Sequence, residues 1–166
     1  MPTIKIDPIT LATDAPIFDD VRALEIVKGH LVVGMRDVVE FGMASVQGWT
    51  PIGGTGNLQA SITTRIEQNG PVNQLISGVV FSTSRYAEYV EFDTIPHWAP
   101  IAPLKLWARV KLGDERLAYP VQRAIARRGT RGQHMFERSV VPTHSYAVPR
   151  LQAAVDSAAR ELGGTP

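Results

Sequence analysis

The residues able to do chemistry are few and scattered along the chain. His30, His97, His134 and His144 share no spacing that would set two imidazoles one helical turn apart, as in His-Glu-x-x-His, so no metal site is predicted. Ser61, Ser77, Ser82, Ser84 and Ser139 lack the strand-turn-helix frame that lifts a serine into a nucleophile, and there is no cysteine to supply a thiolate. Glu88 and Glu91 stand three apart and fall on one face of a short predicted helix. Paired carboxylates can work as acid and base, but on a surface helix they are more often solvated or paired with a neighbouring arginine. Gly53-Gly-Thr-Gly56 could cradle an anion with its backbone N–H groups. A nucleotide loop, however, follows a strand, carries a lysine before Ser or Thr, and opens a helix, whereas this one follows a helix and leads into a strand. It reads as a turn. No catalytic, metal or cofactor-binding residue is assigned, and the chain is read as a protein that is not an enzyme and uses no cofactor.

The densest local charge is basic: Arg123, Arg127, Arg128, Arg131 and Arg138. Arginine suits phosphate and inter-subunit carboxylates equally. Nucleic-acid contact usually brings interleaved aromatic platforms, and only Phe136 lies among these arginines, so subunit pairing is the first reading and DNA contact the alternative. The chain as a whole, with 17 basic and 16 acidic side chains, has a formal charge of only +1 and lacks the overall field of a nucleic-acid binder. The absence of cysteine fits synthesis in a reducing cytoplasm. The N-terminus shows no basic-then-apolar leader, and no stretch approaches the roughly 18 apolar residues of a membrane span, so no membrane partner is expected.

The elements that must position these residues follow from periodicity. Residues 1–13, with Pro2 and Pro8, read as an extended N-terminal arm and oligomer contact, ahead of Asp14 as a helix cap and a single domain over residues 14–166. Ile17, Val21, Leu24, Leu31, Met35 and Val38 recur at a helical spacing and predict a long helix from about residue 15 to Gln47, with Gly29, Gly34 and Gly42 as points where it bends or breaks. Leu58, Ala60, Ile62, Thr64 and Ile66 alternate with polar residues and predict a strand. Asn69-Gly-Pro71 supplies a turn, and Leu75 to Thr83 predicts the second strand of a long antiparallel hairpin, with Ile76, Gly78 and Val80 on one face. Tyr86 to Phe92 reads as a short helix, with a third strand as the alternative, and is followed by a proline-stiffened loop leading into Leu104 to Leu112. Gly113, Gly129 to Gly132, and Pro142 to Pro149 divide the remainder into three predicted helical pieces. The fold class is α+β: a long N-terminal helix and C-terminal helices packed on a small antiparallel sheet built around the hairpin.

Three spaced segments resemble the phage tail-completion family, the head-to-tail joining, gene-ten-like minor tail or neck proteins. Thr55-Gly-Asn-Leu-Gln-Ala-Ser-Ile62 resembles the family's Thr-Gly-x-Leu-x-x-Ser-Ile lead-in to a strand. Tyr86-Ala-Glu-Tyr-Val-Glu-Phe92 is similar to Tyr-Ala-x-x-Val-Glu-Phe-Gly, with Asp93 where the family prefers a glycine at a tight turn. Ile125-Ala-Arg-Arg-Gly-Thr-Arg-Gly-Gln-His-Met-Phe136 resembles the Ile-Ala-x-x-Gly-Thr-x-x-x-x-Phe segment of longer members. With the long helix before them, these segments span about residues 15–162.

The resemblance implies a structural virion protein: a subunit of a ring, commonly sixfold, in the head-tail connector at the neck, serving tail completion or tail termination. It would be made in the host cytoplasm and carried in the virion. The implied partners are other copies of itself, neighbouring neck, adaptor or tail-tube proteins, and DNA passing through the lumen. Exposed hairpin edges and the arm are expected to pair with neighbours, and Arg127, Arg128 and Arg131 to meet Glu88 or Glu91 of the next copy. Thr55, Gly56 and Leu58 are expected to shape the start of the hairpin, with Ser61 and Ile62 in its first strand and Ile62 inward. Tyr86, Ala87 and Val90 would anchor the short helix, Gly129 and Thr130 would end one helix and begin the next, and Phe136 would dock that one.

Overall fold

The computed structural model describes residues 2–9, 21–69 and 75–163. The fold is α+β: helices packed on a three-stranded antiparallel sheet. The elements run β1 (Thr3–Ile9), α1 (Val21–Trp49), α2 (Asn57–Ala60), β2 (Ile62–Asn69), β3 (Leu75–Ser82), α3 (Ala87–Glu91), α4 (Ile101–Leu112), a 3-10 turn (Glu115–Leu117), α5 (Ala118–Arg128) and α6 (Met135–Glu161). The expected Asp14 cap, the helix start near residue 15 and the turn at Gly70-Pro71 lie outside the described residues.

The hairpin forms as its alternation predicts, with Ile62 opposite Ser82 and Asn69 opposite Leu75. Ile76, Gly78, Val80 and Ser82 face the helices, while Arg65 lies over the Phe81 ring on the opposite face. Two expectations change. The segment expected as an arm is extended, but Thr3 to Ile9 pairs antiparallel with β3 as the third strand. β3 is therefore central, and only β1 and β2 have open edges. Pro8, which has no N–H for a ladder, falls where the β1 register shifts between Ile6 and Ile9, as an edge strand allows. The strand expected from Leu58 begins at Ile62, because Asn57–Ala60 forms a helical turn first.

α1 runs unbroken through its glycines. Met35, Val38, Val39 and Val46 are buried on one stripe, each contributing roughly 1.5–3 kcal/mol by leaving water. Pro51 cannot extend the helix, and the Thr50 hydroxyl donates to the Val46 carbonyl at 2.7 Å, satisfying one of its open acceptors. α6 lies antiparallel to α1: His30 meets Glu161, Asp37 meets Arg150, Phe41 stacks on Tyr146 at 4.3 Å, and Thr50 meets Met135. Gly34 faces Ala154 and Gly42 faces Thr143, where a Cβ would stand 3.0–3.1 Å from the facing carbon, so the missing methyl groups let the helices close up.

The division expected at Pro142 to Pro149 is corrected: both prolines sit inside one 27-residue helix. An interior proline costs about 3 kcal/mol in an isolated helix. Here both lie on the solvent side, where water can take the freed carbonyls, while Phe136, Ser139, Thr143, Ala147, Ala154 and Ala158 are buried on the inner stripe. Tertiary packing overrides the local preference.

A candidate assembly surface

The first family-like segment folds into a bracket at the end of the hairpin. Gly56 takes a left-handed φ of 69°, a region costly for other residues, and turns the chain into α2. Leu58 and Ile62 point into the core. The Ser61 hydroxyl donates to the Leu58 carbonyl at 2.6 Å and lies 2.7 Å from the Ser82 hydroxyl. Since Ser61 has one proton, Ser82 donates to it, and Ser82 in turn accepts from the Ser84 N–H at 3.1 Å. This relay fixes where the chain leaves β3 and enters α3.

The second and third segments, about 40 residues apart, are laced together. Glu91 is only 2% exposed, and its carboxylate caps α6, accepting from the Phe136 N–H at 3.0 Å and the Glu137 N–H at 3.1 Å. A negative group at a helix N-terminus also complements the helix dipole. The Val90 and Glu91 carbonyls accept from the Gln133 and His134 N–H groups, and Thr94 and Thr130 exchange backbone and hydroxyl hydrogen bonds. Asp93 stays out of the left-handed region and accepts from the Gly132 N–H at 2.7 Å. It replaces the expected glycine turn with a side-chain bond.

Gly129 closes α5 with φ 71° and ψ −161°, backbone angles open essentially to glycine alone, and a Cβ there would collide with the Thr94 carbonyl. The next helix starts at Met135 and not directly at Thr130, because residues 130–134 are used to pair with 90–94.

Three expected roles are thereby settled or changed. Ala87, Val90 and Phe136 are buried as anchors. Tyr86 is not: in a five-residue helix the inward positions are taken by Ala87, Val90 and Glu91, which leaves Tyr86 and Tyr89 facing water. Glu91, expected at a subunit boundary, is buried with both oxygens engaged inside its own chain and is unavailable to a neighbour. Glu88, Arg127, Arg128 and Arg131 are exposed, and no described carboxylate forms an ion pair with Arg123, Arg127, Arg128 or Arg131. Arg138 departs from that cluster and lies over the Trp49 ring at 5.2 Å.

Apolar side chains also face solvent, among them two groups near this locked unit. One is the run Tyr86, Tyr89, Phe92, Ile95 and Trp98, which borders a groove of about 550 Å³. The other is the lobe made by α4, the 3-10 turn and α5, where Val110, Leu112, Leu117 and Tyr119 are exposed. Among the described residues, the lobe meets the rest of the chain where Leu106 lies beside Gly54, Gln122 donates to the Ala99 carbonyl and Gly129 lies on Thr94. In its turn, the Arg116 side chain hydrogen-bonded to Asp114 holds that carboxyl below its ordinary value.

Among the described residues, no three His, Asp or Glu side chains converge to hold a metal ion, and no helix is long and apolar enough to cross a membrane. No family model, curated protein or solved structure matches the chain.

Proposed function

We propose that this chain is a structural subunit of the head-to-tail junction of a long-tailed phage, assembling as a sixfold ring in the neck and acting by binding alone. The observation that carries the reading is the run of large apolar side chains at Tyr86, Tyr89, Phe92, Ile95 and Trp98, with Ile95 82% and Trp98 70% exposed, set on a rigid hydrogen-bonded mount. Of these, Tyr89, Phe92 and Ile95 line one groove, and large apolar side chains gathered on a surface in this way mark a site of association. The resemblance of the three segments supports the same reading, since the second and third of them build that mount.

Cryo-electron microscopy of particles containing the protein tests it: density for this chain is expected as a symmetric ring between portal and tail tube, in contact with adaptor or tail-tube proteins. Its absence from finished particles would overturn the reading. Arg123, Arg127, Arg128 and Arg131, exposed and without an ion pair among the described residues, favour one second reading, a nucleic-acid-binding accessory protein. That reading requires duplex binding that weakens steeply with salt and is lost when these arginines are replaced.

A further inference from the structure

The helical layer is wider than the sheet beneath it. α1 lies over β2 and β3, and α6 lies over β1, the strand at one end of the sheet. Two packed helices at about 8–10 Å each need about 16–20 Å, whereas three strands at about 4.8 Å supply roughly 14 Å. α6 therefore overhangs the open edge of β1 by about the width of one strand.

The side chains on the overhang are apolar. Successive helix residues turn by about 100°, so Val141, Val148 and Val155, spaced seven apart, form one stripe. The stripe lies roughly 150–160° round the helix from Thr143, Tyr146, Arg150 and Ala154, which meet α1, so it points away from α1 and past β1. These valines are 72%, 60% and 41% exposed, and Val140, seven residues before the buried Ala147 on the sheetward side, is 47% exposed. No Lys, Arg, Asp or Glu occurs from Ser139 to Pro149, and the stripe's polar neighbours are His144, Ser145 and Gln152. Below it, Ile4 of β1 is buried under the helices while Lys5 is exposed on the other face.

An apolar shelf above an open strand edge fits another strand, whose backbone continues the ladder and whose alternate side chains fill the space under the shelf. A second copy does not fit there. With its helices on the same face, its pair would need about 16–20 Å over strands that supply roughly 14 Å, in space that α6 already overhangs. Turned over, its sheet would lay Lys5, or Arg65 and Glu67, against the valines and bury charge among them.

We propose that the β1 edge beneath Val141, Val148 and Val155 docks a single extended segment of a partner protein, with uncharged apolar side chains at alternate positions and no helix of its own on that face. The stripe is about 21 Å long, the reach of about six extended residues. The register shift and Pro8 after Ile6 place the regular ladder in the first part of β1. The site is distinct from the groove beside α3, and it does not depend on where in a particle the chain resides.

The test titrates the full chain, by NMR, with peptides of about seven residues bearing Val, Ile or Phe at alternate positions, Thr between them and a Lys at each end. Saturable binding is expected, with the Ile4 to Ile6 amides and the Val141, Val148 and Val155 methyls shifting together and hydrogen exchange slowing in β1. Val141→Lys and Val148→Glu, each at an exposed position, are expected to keep the fold and weaken binding about tenfold or more. A peptide of the same composition with its apolar residues grouped, and an alternating peptide N-methylated at every second residue, are expected not to bind. Failure of the whole alternating set to bind, equal binding of the grouped peptide, or shifts confined to the groove beside α3 would overturn the proposal. So would edge amides of β1 that are already protected in the dilute chain without peptide. Protection of β1 that rises with protein concentration alone would assign the edge to a second copy and overturn it as well. None of these outcomes bears on the neck assignment, which stands or falls on the density in particles.

Discussion

The body formed by α1, α6 and the sheet and the lobe formed by α4 and α5 are built on opposite terms. The body closes two long antiparallel helices over a sheet face, buries Leu31, Met35, Val38, Val80 and Met135 to about 1% exposure or less, and balances its charges, eight Lys and Arg against eight Asp and Glu. The lobe buries two alanines outright, holds Leu104, Leu106, Trp107, Val121 and Ile125 half-buried, exposes Val110, Leu112, Leu117 and Tyr119, and is strongly basic. The difference teaches that packed core and presented charge are separated along the chain. The 90–94 and 129–137 segments form the joint between the two parts, and the residues resembling a known family concentrate at that joint and at the hairpin bracket.

The comparison can be broken most severely at the joint. Gly129→Ala is expected to cost about 4 kcal/mol or to prevent folding, because alanine must take a glycine-only conformation against the Thr94 carbonyl; a fall in thermal midpoint of roughly 10 °C would show it. Native-state hydrogen exchange should then expose the contrast directly. In dilute protein, amides of α4 and α5 are expected to open at about 3 kcal/mol or more below those of α1 and α6, on the order of a hundredfold in rate. Equal protection would remove the distinction.

Glu91→Gln sharpens the role of the buried cap. The amide can accept from only one of the two N–H groups and turns its own donors toward the other, so a loss of about 2 kcal/mol in denaturant unfolding is expected. Glu88→Gln, at an exposed position, is expected to change stability by less than about 0.5 kcal/mol. In the body, the Thr143 hydroxyl is buried without a hydrogen-bond partner, so Thr143→Val is expected to be neutral or to stabilise by up to about 1 kcal/mol, in contrast to ordinary core changes.

The smallest effect lies in the lobe's turn. Asp114 is held below its ordinary value by Arg116, so its contribution is complete above the ordinary carboxylate range and is lost as pH falls through the lowered value. Acid titration followed by the Arg116 amide resonance is expected to show local loosening of the turn ahead of any change in α1 or α6.

The elements most legible in the sequence are those whose signal is local and repeated. Helical spacing through Leu31, Met35 and Val38 and alternation through Ile62, Thr64 and Ile66 mark α1 and β2 directly. β1 was hidden because Ile4 and Ile6 make too short an alternation between two prolines to be told from an arm. The continuity of α6 was hidden because Pro142 and Pro149 are locally helix-breaking, and only the face they occupy makes them tolerable. Glu91 and Glu88 are indistinguishable as letters three residues apart, yet one is a buried cap and the other a surface acid, because the cap's partners lie about 45 residues downstream.

The sequence by itself determined the α+β class, the long first helix, the hairpin with Ile62 turned inward, and the glycine stop at Gly129, since each depends on backbone preference or on periodic burial within one segment. The tertiary structure alone decided which charges are consumed and which are presented. Burial and hydrogen bonding depend on what arrives from elsewhere in the chain, so only the folded molecule separates Glu91, locked under α6, from Glu88, which lines the aromatic groove beside it.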